Sequence, residues 1–167
     1  ANIVDEESGT GGAACNVAID LSRFALGLEL SGVGLVGKDR DGERIFSDCR
    51  AAGIDTRFLL GIEDAPTAYT DVMTVKDSGR RTFFHNRGAN ALLGPEHYPL
   101  DELDCRILTL GYLLLLDGMD AEDPEYGTRA ARVLAGCRER GILTVVDVVS
   151  EDSDRFSTVV TPALPHI

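Results

Sequence analysis

Ile107-Leu108-Thr109-Leu110-Gly111-Tyr112-Leu113-Leu114-Leu115-Leu116 is apolar almost throughout. The run is about half the roughly 20 residues that span a bilayer. It suits a strand buried on both faces, as in a parallel sheet. Downstream, Asp123 reads as an N-cap, Pro124 as the first helical residue and Glu125 as a carboxylate at the positive end of the helix dipole. Tyr126, Ala130, Val133, Leu134 and Cys137 then recur at helical spacing, and Gly141 stops the pattern. Leu143–Val149 is another apolar strand. Strand, helix, strand in this order builds a parallel pair joined by a crossover helix.

The same alternation extends toward the N-terminus. Thr67–Val75 and Thr82–Asn86 read as a hairpin, with Asp77-Ser78-Gly79 as its turn. Ile45, Cys49 and Ala52 share one face of a helix over about Gly42–Ala52, closed by Gly53. Gly32-Val33-Gly34-Leu35-Val36-Gly37 reads as a buried strand with close backbone neighbours. Ala13–Leu26 reads as an amphipathic helix with Val17, Leu21, Phe24 and Ala25 on its apolar face, and Gly9-Thr10-Gly11-Gly12 leads into it. Ala1–Val4 reads as the end of a strand. The expectation is one domain over residues 1–167, a three-layer α/β Rossmann-like fold with a mostly parallel sheet.

Composition narrows the function. The 167 residues carry 28 acidic and 16 basic side chains, a formal net charge of −12. Such a surface repels phosphate backbones and anionic lipid, so neither nucleic acid nor a membrane is expected as partner. Cys15, Cys49, Cys105 and Cys137 form no C-x-x-C pair and have no histidine at ligand spacing, so no metal site is expected. They read as small buried thiols of a reducing compartment. Positions 1–10 show no secretory signal pattern, and the expected location is the cytoplasm.

The glycine cluster admits three readings. Gly9-x-Gly11-x-x-Ala14, with Glu29 twenty residues after Gly9, fits a dinucleotide fingerprint. Asp5-Glu6-Glu7-Ser8 stands where that fingerprint needs strand to run straight into loop. Alternatively, Gly11 and Gly12 let the backbone approach a polyol closely, Asn16 offers a donor and an acceptor, and Asp5 accepts paired hydroxyl hydrogen bonds. The third reading is a plain turn with Asn16 as a first-turn helix residue.

Gly11-Gly12-Ala13-Ala14-Cys15-Asn16-Val17-Ala18 resembles the G-G-x-x-x-N-x-A motif of the ribokinase, or PfkB, family of carbohydrate kinases. Three further segments follow in the family's order. They are Gly34-Leu35-Val36-Gly37-Lys38-Asp39-Arg40-Asp41-Gly42, then Gly53-Ile54-Asp55-Thr56, then Pro66-Thr67-Ala68 with its hairpin and Arg87-Gly88-Ala89-Asn90. The resemblance runs from about residue 1 to residue 167. It implies a ribokinase-type fold and Mg-ATP-dependent phosphorylation of a hydroxymethyl group on a sugar, sugar acid or nucleoside. By the same resemblance, Asp5, Gly11, Gly12 and Asn16 hold substrate hydroxyls. Arg87 and Asn90 lie where some members contact substrate, and Arg87 has the fork to clamp a carboxylate or ring hydroxyls. Asp147, ending a strand, lies near the phosphates. His85 reads as structural.

The sequence departs from the family twice. Asp5 and Gly11 are six residues apart, which leaves no room for the lid strands the family places there. The D-T-x-G-A-G-D motif, which brings the family's oxyanion hole and catalytic aspartate, does not occur. The expectation is therefore the N-terminal, acceptor-binding part of such a kinase, inactive by itself, with a homodimer possible through lid strands. The rivals are a dinucleotide-binding domain on Gly9, Gly11 and Ala14, and a non-catalytic sugar-binding module.

Overall fold

A computed structural model describes residues 2–167. Ala1, part of the expected first strand, lies outside the described residues, and residues 2–4 form no strand. Irregular chain instead runs to Gly12, where α1 begins, Ala13–Arg23. Then come β1 (Ser31–Gly37), α2 (Arg40–Ala51) and β2 (Asp55–Ile62). The hairpin follows as β3 (Tyr69–Thr74) and β4 (Arg81–Asn86), and a 3-10 turn spans Gly88–Leu92. The C-terminal part holds β5 (Ile107–Leu113), a short α3 (Asp117–Asp120), β6 (Glu122–Asp123), β7 (Gly127–Thr128), α4 (Arg129–Glu139) and β8 (Leu143–Val148).

Two parallel pairs carry the fold. β1 pairs with β2, placing Val33 beside Phe58 and Leu35 beside Leu60. β5 pairs with β8, placing Leu108 beside Thr144 and Leu110 beside Val146. A helix crosses over within each pair, α2 in the first and α4 in the second. Leu35 of β1 shares one hydrophobic cluster with Leu108, Leu110 and Leu113 of β5 and with Val133, Leu134 and Cys137 of α4. Leu113, Leu114, Met119 and Leu134 have no exposed surface, so each contributes the full transfer energy of its side chain, about 2–3 kcal/mol.

Three local readings are corrected. The strand β2 was not expected, although Phe58-Leu59-Leu60 is an apolar run; it pairs with β1 along a half-buried edge. The helix expected to begin at Pro124 with Asp123 as its cap begins at Arg129, and Thr128 caps it by accepting the Ala131 N–H at 3.2 Å. Asp123 stands in β6, and its Oδ1 accepts the N–H groups of Glu125 and Tyr126, each at 3.0 Å. That Asx-type turn, with Arg132 Nε donating to Asp123 Oδ2 at 2.6 Å, satisfies the carboxylate and defers the helix by five residues. On α1, Val17 and Phe24 are exposed rather than covered. α1 ends at Arg23, before the expected Leu26, and it packs mainly against β1 and β5.

Among the described residues, β1 and β5 each have one strand neighbour. The outward side of the β5–β8 pair leaves Ile107, Leu143 and Val145 more than half exposed. All four cysteines are free; Cys49 and Cys137 are buried, Cys15 and Cys105 half-buried. No helix among the described residues is long and apolar enough to cross a membrane.

Candidate active site

The site is assembled around the carboxyl ends of β1 and β5. Gly12 caps α1 with a φ of +87°, a conformation that glycine adopts without a Cβ penalty, and its carbonyl accepts the Asn16 N–H at 3.0 Å. The next residue, Ala13, is buried. A Cβ placed on Gly111 of β5 would lie 3.4 Å from the Ala13 Cβ and 3.0 Å from the Asp147 Cβ. Gly111 thus lets Ala13 of α1 and Asp147 of β8 approach the same point of β5. The Asn16 side chain is exposed beside them, as is Gly11.

A second group forms where β1 ends. Asp39 caps α2 by accepting the Gly42 N–H at 2.8 Å. Its carboxylate also accepts the Thr67 N–H at 2.7 Å and the Thr67 hydroxyl at 2.6 Å. These bonds, led by the Thr67 hydroxyl, hold the Asp39 carboxyl below the usual aspartate range. Thr67 Oγ1 in turn accepts the Gly37 N–H at 2.9 Å. The adjoining Pro66 carbonyl accepts the Ala89 N–H at 2.8 Å. Residues 37–42, 66–67 and 88–89 therefore interlock, joining the Gly34–Gly42 motif to both ends of the Pro66–Asn90 motif. The lock presents Arg87 and Asn90 on a single turn, both half-buried. A guanidinium N–H of Arg87 donates to the Asp117 carboxylate, just past β5.

Asp5 is not part of this assembly. It lies exposed in irregular chain, where Oδ1 accepts the Glu6 N–H at 2.9 Å. The strand expected to carry it is absent from residues 2–4, so nothing fixes its direction. The same observation undercuts the dinucleotide fingerprint, because no strand runs into Gly9 and Gly11, and Glu29 is an exposed loop residue. His85 is structural, its Nδ1 sharing a 2.9 Å hydrogen bond with the Thr70 hydroxyl across the hairpin.

Sequence reasoning placed Asp39 and Thr67 within family-like motifs without giving them a role, and missed Asp117, Asp120 and Arg155. Asp39 carried a readable signal, an aspartate three residues before a glycine at a helix start. Arg155 and Asp120 carried none, because their partners are separated by 35 residues. Burial of the Asp120 carboxyl raises its proton affinity, against the opposing pull of the Leu114 N–H and Arg155. Asp117, Asp120, Glu122, Arg155 and Thr158 line an open cleft of about 610 Å³.

Asp147, the residue expected near a nucleotide, is exposed, and its carboxylate accepts the N–H of its own neighbour Val148. Among the described residues no group of three or more His, Cys, Asp or Glu stands together as a metal site.

A search of curated proteins gave no match. Solved structures do match. Fructokinase from Xylella fastidiosa superposes with a TM-score of 0.73 and 22% identity, over 93% of this chain and 50% of that one. Adenosine kinase from Sinorhizobium meliloti gives 0.64 and 24% over 83% and 40%. Ribokinase from Giardia lamblia gives 0.62 and 21% over 87% and 43%. The chain thus spans about half the length of the structures it matches. The likeness establishes a ribokinase-like α/β fold. The family model described as pfkB family carbohydrate kinase matches residues 3–166. With nearly every residue inside that match, and with the family's motifs locked to one another at the carboxyl ends of the strands, the chain belongs to the pfkB family of carbohydrate kinases.

Proposed function

We propose that this chain is the acceptor-binding portion of an ATP-dependent kinase that phosphorylates a hydroxymethyl group of a sugar, sugar acid or nucleoside. The observation that carries the reading is the lock of Asp39, Thr67, Pro66 and Ala89, which fixes the turn bearing Arg87 and Asn90. Gly11, Gly12 and Asn16 bind acceptor hydroxyls from the start of α1. Arg87, with up to five N–H donors, clamps ring hydroxyls or a carboxylate. Asn90 supplies one more donor and acceptor pair. Asp5 joins this set only with the segment around it repositioned toward Gly12 and Asn16.

Among the neighbours, the Xylella fastidiosa fructokinase has been solved with bound ATP, and a putative ribokinase II from E. coli with ATP and Mg²⁺. Carried to this family member, Mg-ATP would supply the phosphoryl group, and Asp147 is the residue of this chain that would stand near its phosphates. The 167 residues hold the acceptor and lack the family's catalytic aspartate motif, so they do not turn over ATP alone. The reading includes one α/β unit over residues 1–167, a cytoplasmic location, and a homodimer through the β3–β4 hairpin.

Titration calorimetry with D-fructose, D-ribose, adenosine and a 2-keto-3-deoxy sugar acid tests the reading. The expected result is binding of at least one, weakened about tenfold by Arg87→Met and by Asn16→Ala, each deletion removing a charged or bidentate hydrogen-bond partner. No binding to any of the four, or binding that ignores both substitutions, would sink it. Tight NADH binding instead would restore the dinucleotide reading.

A further inference from the structure

Leu114 is fully buried and has a φ of +77°. That conformation is rare for a branched side chain and is held only where the surroundings enforce it. Here both polar groups of Leu114 are gripped. Its N–H donates to Asp120 Oδ1 at 3.2 Å, and its carbonyl accepts from Arg155 Nη1 at 3.3 Å. Arg155 Nη2 donates to Asp120 Oδ2 at 3.0 Å, closing the bracket, and Glu151 Oε2 accepts from Nη1 at 3.0 Å. The Asp120 side chain is only 4% exposed.

The bracket fixes α3. Asp120 is its last residue and Asp117 its first. The Asp120 N–H donates to the Leu116 carbonyl at 2.7 Å, so the helix turn is rigidly joined to the chain leaving β5. Asp117 reaches Arg87. Between them, Gly118 sits against the turn that bears Arg87 and Asn90. A Cβ there would lie 3.1 Å from the Ala91 carbonyl oxygen and would collide with that of Leu93. One face of α3 thus receives the bracket, and the other presses on the turn.

We propose that the Asp120–Arg155 pair positions the Arg87–Asn90 turn, acting through α3. Asp120 and Arg155 are positioning residues, since neither touches Arg87. The segment that follows β8 thereby sets the geometry of an acceptor-binding turn more than 60 positions earlier in the sequence. The functional part of this inference rests on the acceptor-binding reading above; the mechanical part does not.

The experiment is amide hydrogen exchange on the full chain, read residue by residue, with Arg155→Met and Asp117→Asn. Losing the bracket exposes a backbone bond to local opening, so Arg155→Met should speed exchange at Leu114 and at Ala89 about tenfold or more. Lys38, whose N–H donates to the Ile62 carbonyl in the β1–β2 pair, should be unmoved. Asp117→Asn should speed Ala89 and leave Leu114 protected. The double variant should exchange at Ala89 no faster than the faster single one. Faster exchange at Leu114 with Ala89 unchanged would overturn the proposal. If Arg155→Met unfolds the chain, Arg155→Lys carries the same comparison, because it keeps a charge at Asp120 but loses the fork that also reaches Leu114. D-fructose titration is the functional arm. A wild type that binds should lose affinity about tenfold in Arg155→Met, with the fall absent from a control at the exposed Arg57. If the wild type binds neither D-fructose nor any of the other three acceptors, the acceptor-binding reading fails while the exchange data still decide the positioning.

Discussion

Asp39 and Thr67 are 28 residues apart, and the Asp39 carboxylate accepts both the N–H and the hydroxyl of Thr67. Thr67 is 4% exposed, and its hydroxyl also accepts the Gly37 N–H. Replacing Thr67 by valine keeps the shape and removes the hydroxyl. It strands the buried Gly37 N–H and one lone pair of a charged acceptor. Such losses cost about 1–3 kcal/mol each, so Thr67→Val should lower stability by about 2–4 kcal/mol in urea denaturation at pH 7. A loss below about 0.5 kcal/mol, the range of an ordinary surface change, would mean that the lock does not hold the strand ends.

The same pair sets a pH dependence. The folded pKa of Asp39 is lowered, so its contribution is fully present above the unfolded aspartate value of 3.8 and is lost as pH falls through the lower folded value. Asp120 has the opposite sign. Its folded pKa is raised, so its charged form weighs against folding as pH rises past the unfolded value toward the folded one. Denaturation midpoints from pH 2 to pH 6 should therefore show Asp39→Asn flattening the acid limb. Asp120→Asn should flatten the limb that falls with rising pH. Identical profiles for the wild type and Asp39→Asn would show that the carboxylate is not bound as described.

Gly88 has a φ of +41°, and a Cβ there would collide with the Pro66 carbonyl oxygen and lie 3.0 Å from the Ala68 nitrogen. Both neighbours are backbone and cannot swing aside. Gly88→Ala should cost about 2–3 kcal/mol, the sum of left-handed strain and overpacking. It should also displace Arg87, which precedes it. Gly79 is the control. It too has a positive φ, +67°, but nothing lies within 4 Å of its added Cβ. Gly79→Ala should therefore cost about 1 kcal/mol, from strain alone. Equal losses at the two positions would show that contact with Pro66 is immaterial.

Much of this was legible in the sequence, for stated reasons. The apolar run from Ile107 and the crossover helix ending at Gly141 declared a parallel pair, because continuous apolarity and helical spacing are local signals. The motif glycines and Asn16 were legible by type. Their partners were not. Asp123 looked like a helix cap, yet its carboxylate closes a turn five residues before the Thr128 cap, and both roles use the same residue type before the same apolar pattern. The strand β2 hid behind a half-buried edge, where the apolar signal is diluted by Arg57 and Gly61. Arg155 gained its role only from Asp120 and Leu114, and no spacing rule joins residues 35 and 41 apart.

The hairpin makes a last prediction. On one of its faces the side chains contact one another, although Val72 and Phe83 there stay 44% and 48% exposed. Val72 faces Phe83, the Phe83 and His85 rings stack at 6.1 Å, and the Arg81 guanidinium lies 5.5 Å from the Phe83 ring centre. The other face shows Tyr69, Met73 and Phe84 to solvent, each about half exposed. A two-stranded ribbon is marginal alone, and an apolar face of this kind gains from a partner. If the homodimer forms through this hairpin, Phe84→Ser removes an anchor from its Tyr69–Met73–Phe84 face without touching the Phe83–His85 stack on the other. Sedimentation equilibrium should then find a dimer for the wild type and a monomer for Phe84→Ser. Monomer stability should shift by no more than about 0.5 kcal/mol, as for a surface change. Phe83→Ser should instead disturb the hairpin itself, lowering protection at Val72 and His85. A wild type that sediments as a monomer at all concentrations, or a Phe84→Ser variant that stays dimeric, would remove the hairpin from any role in assembly.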